Sequence, residues 1–194
     1  MERINVPGSK EKHVSEELQI LKLVTQRFET AGIPYMVTGS IALNFYATPR
    51  MTRDIDLVVE LLESDVETVV GIFEGDFYVD PEMVRMAIQQ QSMFNLIHHV
   101  EILKVDCIIR KDTEYRREEF ARRRQVAVEG HALFIVAPED LILSKLEWGK
   151  DSHSDIQLND VRNILRSVPD LDRDYLAMWV RELGLDTLYR EVNT

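Results

Sequence analysis

The sequence predicts an α/β-like sheet domain followed by a C-terminal helical part. Up to residue 137, helix-like and strand-like segments alternate; after Pro138 the apolar residues recur only at helical spacing. With 194 residues, 45% of them hydrophobic, the chain can build one substantial core but is short for two full domains. We therefore expect residues 1–137 to form a sheet domain with an N-terminal helix. Residues 138–194 then form a helical part of the same compact unit.

The first regular element is predicted to be an amphipathic helix after a polar, irregular segment of residues 1–13. Ser15 can cap this helix, and Gly32 can end it. Its apolar residues recur at three- and four-residue spacing: Leu18, Leu21, Val24 and Phe28.

A strand, a turn and a second strand follow, and they carry the residues of greatest interest. A short strand is predicted at 35–38, Gly39-Ser40 turns the chain into a short helix at 41–46, and 48–53 is a loop. Residues 54–59 (DIDLVV) form the second strand. The remaining predictions are helices at 63–74, 81–91 and 113–124, strands at 94–99 and 100–109, a hairpin of 126–128 with 133–136, and three or four helices from 138 onward.

Two aspartates on the second strand are the first candidates for chemistry. Side chains alternate along a strand, so Asp54 and Asp56 point the same way, roughly 6.6 Å apart at their Cα atoms. Ile55 and Leu57 then point into the core. Neighbouring carboxylates repel unless a positive charge lies between them, and their oxygens are ligands that Mg²⁺ prefers. Taken alone, however, a D-x-D pair is more often a solvated strand edge or a helix cap.

Asp106 is a third candidate, because it is the one acidic residue between Val105 and Ile109 in an apolar strand. A carboxylate in such a place needs a partner, and a shared metal site would supply one. It could equally be the outward residue of an amphipathic strand. Cys107 faces the other way and is expected to be a core thiol.

The Gly39-Ser40 turn is suited to a phosphate. Glycine lets the backbone approach a ligand closely, and a helix N-terminus offers free N–H groups and a positive dipole. On its own the turn is a weak signal, but its place before the D-x-D strand adds weight to both.

These motifs together resemble those of a known family. Thr38-Gly39-Ser40 followed by residues 52–57 (TRDIDL) resembles the G-S…D-x-D signature of the nucleotidyltransferase superfamily. Two later stretches, 137–146 and 160–165, resemble the AbiEii toxin-like subgroup of uncharacterised nucleotidyltransferases. The resemblance extends over about residues 20–166.

The resemblance implies an α+β fold with a mixed β-sheet of the polymerase-β-like type flanked by helices. It also implies transfer of a nucleotide from a nucleoside triphosphate with two Mg²⁺ ions, for which Mn²⁺ can substitute. Asp54, Asp56 and Asp106 would be catalytic metal ligands. The implied nucleotide-binding residues are Gly39, Ser40 and Lys145 at the triphosphate, with Asp160 orienting Lys145 or the nucleotide.

Three basic features have competing interpretations. Lys145 lies in an apolar helix, where the residues alone favour a surface pair with Asp140 or Glu147. Arg53, and Arg50 before it, flank the D-x-D strand and can reach a phosphate, but as loop residues they can equally be solvated. The stretch 110–124 carries an excess of three positive charges, which suits RNA docking or a solvated helix with internal ion pairs.

The two tryptophans, Trp148 and Trp179, are expected to pack in the helical part.

Bulk composition limits the partners. The formal net charge of −11 argues against a general nucleic-acid binder, although one RNA can still dock on a local basic strip. Cys107 is the only cysteine, which fits a reducing compartment. No apolar run approaches the roughly 18–20 residues of a membrane span, and the N-terminus lacks the apolar region of a signal peptide. We expect a cytoplasmic protein that does not enter a membrane.

The leading hypothesis is a Mg-dependent nucleotidyltransferase that moves a nucleoside monophosphate from a triphosphate to a hydroxyl acceptor. By analogy with toxin-like proteins the acceptor is tRNA, and a small molecule or a protein is an alternative. A cognate antitoxin is then a candidate partner. The competing hypothesis is a non-catalytic nucleotide-binding or toxin–antitoxin partner module that retains the fold.

Overall fold

The computed structural model describes residues 9–128, 130–152 and 154–193. Within these ranges the chain forms nine α-helices and seven β-strands. The helices are α1 (Ser9–Thr30), α2 (Gly39–Tyr46), α3 (Val66–Phe73, preceded by a 3-10 turn at Glu63–Asp65), α4 (Pro81–Gln90), α5 (Glu114–Ala121), α6 (Pro138–Ser152), α7 (Asp155–Ser167), α8 (Arg173–Glu182) and α9 (Asp186–Val192). The strands are β1 (Tyr35–Val37), β2 (Asp54–Val59), β3 (Phe77–Tyr78), β4 (Met93–His98), β5 (Lys104–Ile109), β6 (Arg124–Val128) and β7 (His131–Ile135).

All seven strands belong to one mixed sheet in the order β3-β4-β5-β2-β1-β7-β6. The central pair β2–β5 is parallel, as is β1–β7, and the other neighbours are antiparallel. The α+β fold class, with a mixed sheet flanked by helices and a helical C-terminal part, is confirmed.

The two faces of the sheet are packed by different helices. Residues 55, 57 and 59 of β2 are buried with apolar side chains of α1, α3 and α4 in one core. On the opposite face, Met36 and Val58 pack into a second core built mainly from α6 to α9. The alternation of side chains along β2 therefore places Asp54 and Asp56 on the face of the C-terminal helices.

Several boundaries differ from the predictions. Helix α1 begins at Ser9, so Ser15 lies inside it and does not cap it; the polar residues after Gly8 include no helix breaker. Residues 1–8, the rest of the predicted irregular segment, lie outside the described ranges, as do Glu129 of the predicted hairpin turn and His153. Strand β5 begins at Lys104, and Ile102 just before it has a positive φ of 52°, typical of a turn. The two-residue strand β3 has too short a pattern to be predicted.

Across the part of the chain that is described, none of the helices combines the length and the apolarity that crossing a bilayer requires.

Candidate nucleotidyl-transfer site

The three predicted aspartates meet on neighbouring central strands. Asp56 of β2 lies directly opposite Asp106 of β5 in the parallel pair, and Asp54 lies opposite Lys104. Cα partners in a sheet share a face, so all four side chains project from the same side. Asp106 is 6% exposed, Asp56 is half-buried and Asp54 is exposed.

The carboxylates repel one another, and the structure supplies only part of the positive charge they need. Burial raises the pKa of Asp56, and the charges of Asp106 and Asp54 raise it further. The ammonium group of Lys104 lies 2.9 Å from Oδ2 of Asp106 and 4.0 Å from Oδ1 of Asp54. Its hydrogen bond to Asp106 raises the pKa of Lys104. Asn95 on β4 also donates its side-chain amide to Asp106.

Gly39 brings the backbone against these carboxylates. Its φ is +63°, and a Cβ atom placed there would lie 2.0 Å from Oδ2 of Asp56. The amide of Thr38 donates to the carbonyl of Asp56 at 2.9 Å, which fixes the end of β1 against β2. The N-terminus of α2, with its free N–H groups, therefore opens beside Asp56.

A chain of polar contacts links Ser40 to the C-terminal helices. Arg50 donates from Nη2 to Oγ of Ser40 at 2.5 Å and to Oδ2 of Asp160 at 3.1 Å. Lys145 donates to Oδ2 of Asp160 at 2.7 Å and to Gln157 at 3.1 Å. Asp160 thus holds two cations at once, and both cations lie near the start of α2.

Lys145 and Asp160 are 4% and 3% exposed, so the pair is buried. The alternative of a surface pair between Lys145 and Asp140 or Glu147 is wrong. Burial lowers the pKa of Lys145, and the hydrogen bond to Asp160 opposes this shift.

Arg50, rather than Arg53, is the arginine that the structure brings into the site. Arg53 is exposed in the loop before β2. Arg50 is held by Asn44, whose side chain accepts from the backbone N–H of Arg50 at 3.0 Å and donates to its carbonyl at 3.2 Å. The sequence placed both arginines in the same loop, but only the fold of that loop distinguishes them.

A cavity of about 230 Å³ lies beside Asp56, Ser40 and Lys145, between the sheet and α6. It is lined by Thr38, Gly39, Ser40, Asp56, Ile108, Leu141, Ser144, Lys145, Trp148 and Gln157. Trp148 is 62% exposed at this cavity, so the expectation that it packs in the helical part is wrong, whereas Trp179 is buried as expected.

On the other side of the carboxylates the sheet face is open. Met93, Asn95 and Ile97 of β4 lie opposite Ile108, Asp106 and Lys104, and all three are exposed. Tyr78 of β3 lies opposite Ile97 and is 57% exposed. A molecule resting on this face would lie beside Asp106.

Most arginines of the basic stretch 110–124 are engaged with carboxylates; Arg123 instead donates to the backbone carbonyl of Phe120. Arg116 pairs with Glu119 and Glu147, Arg117 with Asp112, and Arg122 and Arg124 with Glu139. These contacts favour the interpretation of an ion-paired helix over a surface that docks RNA. They also fasten α5 and β6 to α6.

In the described ranges, no three His, Cys, Asp or Glu side chains converge closely enough to hold a metal ion as they stand. The ammonium group of Lys104 occupies the position between Asp54 and Asp106 where a cation would balance their charge.

Comparison with solved structures places the chain among nucleotidyltransferase-like folds. An antigenic nucleotidyltransferase-like protein from Paracoccidioides brasiliensis has a TM-score of 0.55 at 16% identity, covering 89% of this chain and 91% of that one. The antibiotic-resistance factor ANT(2″)-Ia in solution has a TM-score of 0.55 at 14% identity, covering 92% and 99%. Its crystal structure with adenylyl-2″-tobramycin has a TM-score of 0.52 at 12% identity, covering 92% of this chain and 97% of that one. No family profile and no curated protein sequence matches the chain. At these identities the likeness is one of fold.

Proposed function

We propose that this chain, whose fold is that of the nucleotidyltransferase superfamily, transfers a nucleoside monophosphate from a nucleoside triphosphate to a hydroxyl acceptor. The observation that carries the proposal is the contact of Gly39 with Asp56, which lies opposite Asp106. A helix N-terminus for phosphates thus adjoins paired carboxylates, and this is the arrangement that nucleotidyl transfer needs.

The chemistry of the three carboxylates fits Mg²⁺ or Mn²⁺. Asp54, Asp56 and Asp106 would hold one or two ions, and Lys104 would move aside to admit them. Burial, and then the charges of Asp106 and Asp54, raise the pKa of Asp56, and a bound cation would oppose both effects. When bound, such ions activate the attacking hydroxyl and neutralise charge on the pyrophosphate leaving group.

The chain's own residues would bind and orient the triphosphate. Ser40 offers a hydroxyl and a backbone N–H at the start of α2, while Lys145 and Arg50 supply two positive charges from the other side. Asp160 is a positioning residue, because it holds both cations in place. Arg53 would contact the nucleotide only from its exposed loop before β2.

For the acceptor, we favour a small hydroxylated molecule over tRNA. The open face beside Asp106 presents Met93, Ile97 and Tyr78, which suit an apolar or ring-shaped surface rather than a phosphate backbone. The neighbour ANT(2″)-Ia was crystallised with an adenylylated tobramycin, a small-molecule product. The AbiEii-like subgroup, the tRNA acceptor and an antitoxin partner continue to rest on the sequence motifs.

A labelling experiment tests the proposal. Purified protein with α-³²P-labelled triphosphates and Mg²⁺ should label an acceptor from a panel of aminoglycosides, other polyols, tRNA and the protein itself. The double variant Asp54→Ala/Asp56→Ala should lose the label, whereas Asp170→Ala, an exposed aspartate between α7 and α8, should keep it. Labelling that survives the double substitution contradicts the assigned carboxylates.

The competing function is a nucleotide-binding module without turnover. The observation in its favour is that the ammonium group of Lys104 lies 2.9 Å from Asp106 and 4.0 Å from Asp54, so a side chain already supplies part of the positive charge there. Calorimetry that detects triphosphate binding, combined with no labelling of any acceptor with either Mg²⁺ or Mn²⁺, would support this alternative.

A further inference from the structure

A second cavity of about 340 Å³ continues from the site cavity along the same face of the sheet. The two share four lining residues, Thr38, Ile108, Ser144 and Trp148. The second cavity extends away from Asp56 toward Val58 and the end of β5, between the sheet and helices α5 and α6.

The combined size of the two cavities suits a nucleotide that spans both. Small-molecule pockets in proteins measure about 300–1,000 Å³, and the site cavity alone, at about 230 Å³, is below that range. The two together fall within it. Since Ser40 and Lys145 line the first cavity and Arg50 contacts Ser40, the triphosphate belongs there, and the second cavity is left for the nucleoside.

The lining of the second cavity suits a planar base with a polar edge. Val58 and Ile108 provide apolar side chains from the sheet, and the indole of Trp148 stands at the junction of the two cavities with 62% of its surface exposed. An exposed tryptophan beside apolar side chains is a stacking platform for a base.

The polar wall of the cavity carries two carboxylates among the cations Arg110, Lys111 and Arg116. The guanidinium of Arg116 donates to Glu119 at 2.7 Å, to Ser144 at 2.8 Å and to Glu147 at 2.5 Å, so its donors are turned toward these partners. Glu119 is buried, whereas the side chain of Glu147 is 33% exposed. A carboxylate has about four lone-pair sites, so Glu147 retains capacity to accept from a ligand.

We infer that the second cavity is the nucleoside subsite, in which the base stacks on Trp148 and an exocyclic amino group donates to Glu147. The site then prefers adenine or another amino-bearing base over uracil. This inference rests on the proposed function, since it assumes that the triphosphate lies at Ser40 and Lys145.

Tryptophan fluorescence tests the stacking directly, because the chain has two tryptophans. Trp179→Phe leaves Trp148 as the reporter; the indole N–H of Trp179 is buried without a hydrogen-bond partner, so phenylalanine removes no hydrogen bond there. A non-hydrolysable ATP analogue with Mg²⁺ should quench the tryptophan fluorescence of this variant. The same analogue should not quench the fluorescence of Trp148→Phe, in which Trp179 is the remaining tryptophan.

Affinity measurements separate the subsite from the function it rests on. Trp148→Ala should weaken binding of the ATP analogue about tenfold or more and leave binding of inorganic tripolyphosphate unchanged. Glu147→Gln should reduce the preference for ATP over UTP, because the amide can donate to the uracil carbonyl.

Two other outcomes of these binding measurements would contradict either the nucleoside subsite or the proposed function. If tripolyphosphate and ATP bind but Trp148→Ala binds ATP as the parent does, the nucleoside subsite is wrong and the proposed function stands. If neither compound binds at millimolar concentration, the proposed function fails and takes the subsite with it.

Discussion

The backbone of Gly39 and the carboxylate of Asp56 lie so close together that a Cβ atom at position 39 would come within 2.0 Å of Oδ2. The φ of Gly39 is +63°, which side-chain-bearing residues rarely adopt. Backbone conformation therefore favours glycine at position 39, and a side chain there would displace the carboxylate of Asp56.

Gly39→Ala is expected to abolish transfer while leaving the protein foldable. Strain at φ > 0 and the clash with Asp56 should together cost on the order of 1–3 kcal/mol of the free energy of unfolding, and displacing Asp56 should lower kcat by at least about a hundredfold. Gly71→Ala is the matched control: it lies inside α3 with no atom within 4 Å of a new Cβ, so it should be neutral or stabilising. Equal activity of the two variants would contradict the assigned role of Gly39.

Asp56→Asn should stabilise the protein without metal while removing its activity. Burial and the charges of Asp106 and Asp54 raise the pKa of Asp56, so folding favours the protonated carboxyl. The stability that comes from this protonated form is present at low pH and is lost as the pH rises through the raised pKa. A neutral amide removes the repulsion across the β2–β5 pair, a gain of about 0.2–1 kcal/mol. Urea denaturation at pH 8 in the presence of a chelator measures this change in the free energy of unfolding. Asp54→Asn, at an exposed position, should gain less; a loss of stability in Asp56→Asn would be the opposite of what the charges require.

The two partners of the buried pair should differ in their cost. Asp160→Asn leaves Lys145 and Arg50 without their shared carboxylate and should cost about 3–5 kcal/mol of stability. Lys145→Met leaves Asp160 paired with Arg50 and should cost less, under about 2 kcal/mol, because one cation remains. Both variants should raise the KM for the triphosphate. Denaturation midpoints of the two variants at one pH decide the order, and a larger loss for Lys145→Met would show that Arg50 does not compensate.

Tyr175→Phe should destabilise the protein more at pH 8 than at pH 5. Burial raises the pKa of Asp140 to about 6, and hydrogen bonds from Tyr175 and Arg122 limit that rise. The stability linked to the protonated form is present below the ordinary pKa and is lost as the pH rises through about 6. Above that pH the carboxylate depends on the Tyr175 hydroxyl at 2.6 Å, so removing it should cost about 1–3 kcal/mol. Tyr78→Phe, with an exposed ring, should show no such pH dependence in thermal melts at the two pH values.

The central strands and their carboxylates could be predicted because local sequence determines them. The run Asp54–Val59 alternates and is bounded by a polar loop, so β2 has its predicted bounds, with Ile55 and Leu57 buried. The same alternation along β5 identified Asp106. The residues that approach from elsewhere could not be predicted in this way. Asn95 and Lys104 gain their roles from the order and register of the strands, and Arg50 from a loop held by Asn44.

The helical part was harder to predict for a different reason. Periodicity shows that α6 is amphipathic but does not show which side meets the sheet. Trp148 was therefore expected to be packed, and the residues alone favoured a surface pair for Lys145, although the family resemblance placed Lys145 at the triphosphate. The packing of α6 against β1, β2 and α7 reverses both. Likewise, the charges of residues 110–124 left open both a strip that docks RNA and an ion-paired helix, and the partners on α6 favour the ion-paired helix.

The shared core of the sheet and the C-terminal helices limits how the protein can move. Met36 and Leu43 from the sheet part are fully buried in one cluster with Leu146 and Val161 from the helical part. Swinging the helices away as a lobe would expose that cluster to water, which is costly. The shared core therefore favours a fixed spacing between Lys145 and Asp56. In the proposed transfer, substrate entry and product release would then depend on the motion of side chains that line the cavity, such as Trp148, rather than on domain closure.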